Sequence, residues 1–205
     1  MRKIGIEVEY FLFDKDGNIV SPSDYSISQD ECGYLAELRC EPGTSVYETF
    51  GFYLAEKKRM LEQIKFANNG LSISSESHIK IPFRMLRNFQ HRYGKNIANE
   101  SNIYHHEYHS LASQHAGIHV HFSRNEERTI GDKSITIYPF YDFIPIITGM
   151  DREYKEEIKA SKRKPGFYEL KSYGFEYRSL PTSVDDDFIF DVIESAWKLF
   201  NKYGN

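Results

Sequence analysis

The chain has 205 residues and a formal net charge of -4, with 40% hydrophobic, 27% charged and 15% aromatic residues. That length suits one domain able to bury a sizeable core, and the aromatic share excludes a disordered chain. The negative charge removes the electrostatic footprint of a nucleic-acid binder, and the one basic run, Lys159 to Lys164, is too short to restore it.

No stretch approaches the ~20 continuous apolar residues of a membrane span. Glu7 also stands where a secretory signal needs an apolar core, so no membrane partner and a cytoplasmic location are expected. Cys32 and Cys40 are the only cysteines and are not spaced as Cys-x-x-Cys. Alternation with Ala36 and Leu38 places Cys40 on an apolar strand face, which predicts a reduced, buried thiol.

In chain order, the first predicted strand covers about Lys3 to Phe13 and runs into Asp14-Lys15-Asp16-Gly17-Asn18, a hairpin turn signal, before Ile19-Val20. A Ser-, Pro-, Asp- and Gly-rich loop from Ser21 to Gly33 leads to a strand around Glu37, ended by Pro42-Gly43-Thr44-Ser45. From about Val46 to Asn68, Phe50, Tyr53, Leu54, Leu61, Ile64 and Ala67 recur at helical spacing, with Asn68-Asn69-Gly70 as the stop. Leu71 to Pro82 alternates as one strand. Arg84 to Gln114 is polar, aromatic and His-rich, and is expected to hold a loop over the site and one helical piece. Tyr138 to Met150 is apolar enough for a buried helix despite Pro145, continued by a charged one from Asp151 to Ala160. Ser183-Val184-Asp185-Asp186 caps a final helix whose Phe188, Ile189, Val192, Ile193, Ala196, Trp197 and Phe200 form one face. This order predicts an α+β domain over residues 1–205, an antiparallel sheet with helices on one face and chemistry on the other.

Four short segments carry that chemistry. They are Ile4-Gly5-Ile6-Glu7-Val8-Glu9-Tyr10, Ala36-Glu37-Leu38-Arg39-Cys40, Ile118-His119-Val120-His121-Phe122-Ser123 and Phe175-Glu176-Tyr177-Arg178-Ser179. Each alternates apolar side chains with carboxylate, imidazole or guanidinium groups, and a strand sends the two sets to opposite faces. If the strands are neighbours, the polar sets share one surface. Glu7 and Glu9 alone would equally suit a solvated sheet edge, but Phe11 in the same register favours a cleft wall. His119 and His121 can hold one metal together, or one metal and a nucleotide edge. His105, His106, His109 and His115 have no strand register and are read as loop residues.

Glu37-x-Arg39 and Glu176-x-Arg178 would be worth ~0–1 kcal/mol each as surface ion pairs. Arg also grips phosphate through two parallel hydrogen bonds, while Glu holds hard divalent cations. Together these suit phosphoryl transfer. No Gly-x-x-x-x-Gly-Lys loop and no Gly-x-Gly-x-x-Gly fingerprint is present, so the sheet itself would have to bind nucleotide.

Glu7-Val8-Glu9, Gly117-Ile118-His119-Val120-His121-Phe122-Ser123 and Phe175-Glu176-Tyr177-Arg178-Ser179-Leu180-Pro181 occur in an order that resembles the glutamine synthetase and glutamate-cysteine ligase superfamily. With Glu37-Leu38-Arg39 and Pro42 added, the likeness is to the small phage-type carboxylate-amine ligases, and it spans residues 5–181. The resemblance implies a glutamine-synthetase-like antiparallel sheet whose concave face binds ATP and two or three Mg²⁺ or Mn²⁺ ions. It assigns Glu7, His119 and Glu176 to one metal and Glu9, with Glu37 as companion, to another. It also assigns His121 and Ser123 to the nucleotide and Arg178 to the transferring phosphate. Arg39 is a second candidate for the phosphate. Where relatives carry a basic residue before the late Glu motif, this chain has Glu169; Lys162, Arg163, Lys164 and Lys171 are the possible substitutes, with Lys171 taken as the nucleotide contact. Glu31 and Glu41 are further candidates for metal.

The expected activity is ATP-dependent joining of a small-molecule or peptide carboxylate to an amine through an acyl phosphate, releasing ADP and phosphate. A metal-dependent hydrolase using the Glu/His cluster to activate water is one alternative. A non-catalytic metal- or nucleotide-binding relative is another. Neither the acid, the amine nor the oligomeric state is legible.

Overall fold

The computed structural model describes residues 1–29, 35–67, 70–80, 100–104, 113–130, 133–137 and 142–204. Among them is a mixed α and β structure with a large antiparallel sheet and four helices. The strands are β1 (Arg2–Phe13), β2 (Leu35–Arg39), β3 (Ser72–Ser74), β4 (His78–Lys80), β5 (Glu100–Asn102), β6 (Ser113–His115), β7 (Gly117–Arg124), β8 (Glu126–Ile130), β9 (Lys133–Ile137), β10 (Phe167–Lys171) and β11 (Gly174–Pro181). The helices are α1 (Val46–Phe66), α2 (Ile144–Glu153), α3 (Lys155–Ala160) and α4 (Asp186–Tyr203).

The large sheet runs β2-β1-β7-β11-β10-β5, and β3 pairs with β1 where β2 ends. Thus the four segments with alternating polar residues are consecutive neighbours, although residues 40–116 separate two of them in sequence. Their apolar sets, including Ile4, Ile6, Val8, Leu38, Ile118, Val120, Phe122, Phe175 and Tyr177, lie on one face in one core with the helices. Cys40 packs against this core, and burial pushes its thiol up to about 12.

The final helix buries Ile189, Val192, Ile193, Ala196, Trp197 and Phe200 as its periodicity predicts, and the side chain of Asp185 caps it by accepting from the Asp187 amide. Helix α1 begins at its Ser45 cap, but its buried residues are Thr49, Tyr53 and Met60, whereas Leu54 and Leu61 are exposed. Thr49 belongs to the buried stripe because its hydroxyl bonds the Ser45 carbonyl and accepts from the Trp197 indole. That polar residue turns the helix away from the face read from leucines alone.

Three expectations change. The predicted strand over Leu71 to Pro82 divides into β3 and β4, which belong to different sheets, with Ser77 buried between them against Thr182. Of the apolar run from Tyr138 to Met150, residues 142–150 are described, and there the helix begins at Ile144, where Pro145 fits the first turn because no intrahelical donor is needed there. His115, read as a loop residue, ends β6 opposite His78. Residues 30–34, 68–69, 81–99, 105–112, 131–132, 138–141 and 205 lie outside the described residues. With them go Glu31, Cys32, His105, His106, His109 and most of the segment expected to form a loop and a helical piece over the site. No helix among the described residues is long and apolar enough to cross a membrane.

Candidate functional site

Strand pairing stacks the polar residues into rows. Glu9 faces Glu37 and Glu7 faces Arg39 between β1 and β2, while Glu7 faces His119 between β1 and β7. On the other side, His121 faces Glu176 between β7 and β11, and Glu176 faces Glu169 between β11 and β10. Phe11 and Leu35, paired next to Glu9 and Glu37 between β1 and β2, form with Ala116 a separate apolar cluster.

His119 is at the centre and only 3% exposed. Its Nδ1 lies 3.1 Å from Glu176 Oε1 and 3.7 Å from Glu7 Oε2, and its Nε2 lies 3.6 Å from Glu9 Oε2. Burial and the nearby Arg178 oppose a positive charge on this ring, but Glu9, Glu176 and Glu7 outweigh them and push its pKa up to about 10. The imidazolium therefore supplies a positive charge among three carboxylates. Burial also resists ionisation of Glu7 and Glu176, yet in each case the attraction of the histidines holds the carboxyl well below its usual range. Glu37 goes the other way: burial first, then Glu7 and Glu9, push it up to about 8 against the pull of Arg39. Arg39, at the more open rim, contacts Glu37 at 2.5 Å. Glu9 Oε2 accepts from the Gly117 amide at 3.0 Å, which ties it to β7.

His121 directs Nε2 toward Glu7 Oε2 at 3.3 Å, while its Nδ1 is 2.6 Å from the Tyr173 hydroxyl. Were an ion bound at Nε2, Nδ1 would donate to the phenol oxygen, which would orient the ring and leave the Nε2 lone pair for the ion. Burial, reinforced by Glu176, pushes the phenol up to about 12, so it stays neutral. Ser123 follows on the same face, half-buried, paired with Lys3 and Gly174.

Arg178 and Lys171 border Glu176 from the β10 side. Arg178 Nη1 is 2.6 Å from Glu176 Oε1 and Lys171 Nζ is 2.8 Å from Oε2. Burial disfavours the Lys171 charge, but Glu176 and Glu169 more than offset it and raise its pKa. Near Arg178 the pairing of β11 with β7 shifts register, a bulge between Tyr177 and Leu180. The guanidinium of Arg163 fills it, donating to the carbonyls of Ala116, Arg178 and Ser179. Gly117 leaves the space: a Cβ there would meet that guanidinium at 2.8 Å. Arg163, a candidate for phosphate by sequence, is thus engaged in holding the backbone.

The donor set fits a divalent cation. Glu7, His121 and Glu176 offer ligand atoms all within 4.8 Å of one another. The buried His121 Nε2 makes no aligned hydrogen bond despite its neighbour Glu7. The carboxyl groups of Glu7, Glu9, Glu37, Glu169 and Glu176 outnumber the permanent cations Arg39, Lys171 and Arg178, and without an ion the protons on Glu37 and His119 make up the difference. The resemblance assigned His119 to this ion and His121 to the nucleotide; His121 lies with Glu7 and Glu176 in one donor group, and His119 Nδ1 lies 3.1 Å from Glu176 and 3.7 Å from Glu7 beside it.

Sequence reasoning missed Tyr173 and the participation of Glu169. The signal for Glu169 was present: Glu169-x-Lys171 and Glu176-x-Arg178 share strand spacing on either side of a short turn, so the four side chains fall on one face. Tyr173 had no such signal, because a turn residue's reach depends on the hairpin's position against β7. Comparisons with family models, with curated proteins and with solved structures found no match to this chain.

Proposed function

We propose that this chain is an ATP-dependent carboxylate-amine ligase with a glutamine-synthetase-like sheet, acting on small-molecule or peptide acids and amines. The observation that carries the reading is the double engagement of Glu176. One carboxylate belongs to the Glu7-His121-Glu176 donor set and also contacts Arg178 and Lys171. Side chains suited to hold a cation and side chains suited to hold phosphate are thus adjacent, which supports a reading as phosphoryl transfer.

In this reading Glu7, Glu176 and His121 hold one ion, with Glu9 and Glu37 beside a second. A mixed carboxylate and imidazole set suits Mn²⁺ as well as Mg²⁺. The bound ions would supply neutralisation of the phosphate oxygens. Arg178 grips the transferring phosphoryl group through its planar fork, and Lys171 contributes a point charge beside it. His121 and Ser123 continue the same face toward the nucleotide, and Arg39 marks the opposite rim. The acid's carboxylate oxygen bonds to the γ-phosphorus as ADP leaves. The amine nitrogen then bonds to the carbonyl carbon of that acyl phosphate, loses a proton and expels phosphate.

The test is product analysis with ATP, Mg²⁺ or Mn²⁺ and a mixture of amino acids, with Glu176→Gln as the control for contaminating ATPase. ADP release faster than with ATP alone, and absent in the variant, is expected. Release of AMP and pyrophosphate, or no dependence on added acid, overturns the reading.

A further inference from the structure

Glu169 lies outside the set assigned to the ions, yet it is bound to the phosphate-binding cations. β10 and β11 place it directly opposite Glu176, a juxtaposition of like charges that by itself destabilises a sheet. Lys171 and Arg178 resolve it. Lys171 Nζ lies 2.9 Å from Glu169 Oε1 and 2.8 Å from Glu176 Oε2, and Arg178 Nη1 lies 3.4 Å from Glu169 Oε2 and 2.6 Å from Glu176 Oε1. Charges alternate around a closed ring, with each cation held between two carboxylates.

We propose that Glu169 is a specificity-determining residue of the phosphate site, an internal anion that makes Lys171 and Arg178 select a polyphosphate carried with a divalent cation over a free anion. The proposal rests on the reading of Glu176 as an ion ligand and of Lys171 and Arg178 as phosphate ligands. Without an ion, an incoming anion must displace Glu169 and also approach Glu176, whose charge is fixed in a side chain only 1% exposed. Both terms oppose it. An ion on Glu176 compensates that charge and loosens its hold on the two cations, leaving Glu169 as the remaining competitor. Glu169 is the more exposed of the two, at 19%, and so the easier to return to water. A phosphate brings more charge than this carboxylate and can engage the Arg fork with two oxygens, so it displaces Glu169 where a monoanion does not.

Titration calorimetry with inorganic tripolyphosphate, in EDTA and in excess Mn²⁺, tests this on the wild type, Glu169→Gln and Glu62→Gln. The last removes the same charge from α1, on the other layer. In EDTA, Glu169→Gln is expected to bind about tenfold more tightly than wild type, the scale of one charge-assisted hydrogen bond no longer competing. Its gain on adding Mn²⁺ should be smaller than that of wild type, and Glu62→Gln should match wild type throughout. Equal or weaker binding by Glu169→Gln, an equal gain in Glu62→Gln, or no binding by any of the three overturns the proposal. The two readings fail separately. AMP release in the product assay would remove the ligase while this affinity difference stood, and acid-dependent ADP release with unaltered Glu169→Gln affinity would keep the ligase and remove Glu169.

Discussion

The two faces of the central sheet are built from the same strands and both hold buried side chains, but they are held by different forces. On the helix side Ile6, Val8, Val120, Phe122 and Tyr177 are fully buried, and removal of apolar surface from water stabilises them. On the opposite side Glu9, Glu37, His119 and Glu176 are buried almost as fully. There burial acts against the charges, and only mutual pairing offsets it. One face is complete without a ligand. The other carries more fixed negative than fixed positive charge and recruits the His119 proton to compensate. The difference teaches that burial alone does not identify a core: what matters is whether the buried groups satisfy one another.

The largest effect should come from the complete face. Phe122 stacks on Phe175 with ring centroids 4.7 Å apart and meets Phe200 edge-on. Phe122→Ala should cost about 3–5 kcal/mol in urea unfolding, by lost transfer energy and the cavity left behind. The loss should be the same with and without divalent ions. A loss abolished by Mn²⁺ would mean that the faces are not energetically separate.

The incomplete face should instead respond to pH. Glu37 ionises near 8 in the folded chain against an ordinary value of 4.5, so between those values the native state holds a proton that the unfolded state has released. Its contribution to stability is therefore fully present below about 4.5 and lost as pH rises through about 8. The slope is at most about 1.4 kcal/mol per pH unit in metal-free buffer. Glu37→Gln should flatten this slope, and saturating divalent ion should offset the loss at the alkaline end. A wild-type stability that rises over this window in EDTA, with no change on Glu37→Gln, would contradict the charge balance described.

The smallest effect sharpens the comparison at one hydrogen bond. Tyr173→Phe removes the hydroxyl at His121 Nδ1 and should weaken divalent-ion affinity about tenfold, the lower end for a group that orients a ligating histidine. The melting temperature should move little, and an affinity equal to wild type would reduce Tyr173 to packing.

Much of the site-bearing scaffold was legible in the sequence because a period of two is a direct consequence of strand geometry. The alternation around Glu7, Glu37, His119 and Glu176 separates a polar set from an apolar one without knowledge of any neighbour, and the apolar set does lie under the helices. The face of α4 was legible for the same reason at a period of 3.6. The exposure of Leu54 and Leu61 was not, because which side of α1 is covered depends on the indole of Trp197 reaching Thr49 across to another helix. The strands β8 and β9 carried too little periodicity to be read, and among the described residues they pair with each other alone.

What the sequence determined by itself is the chemistry available and the face of each strand that carries it, since side-chain direction along a strand is local. What only the tertiary structure decided is adjacency. The order β2-β1-β7-β11-β10 brings together Glu37, Glu7, His119, Glu176 and Glu169 from segments far apart in the chain. The bulge held by Arg163, the grouping of His121 with Glu7 and Glu176, and the ring linking Lys171 and Arg178 to Glu169 all follow from registers between strands. Those registers are set by packing and hydrogen bonds across the sheet, and a list of residues in order does not contain them.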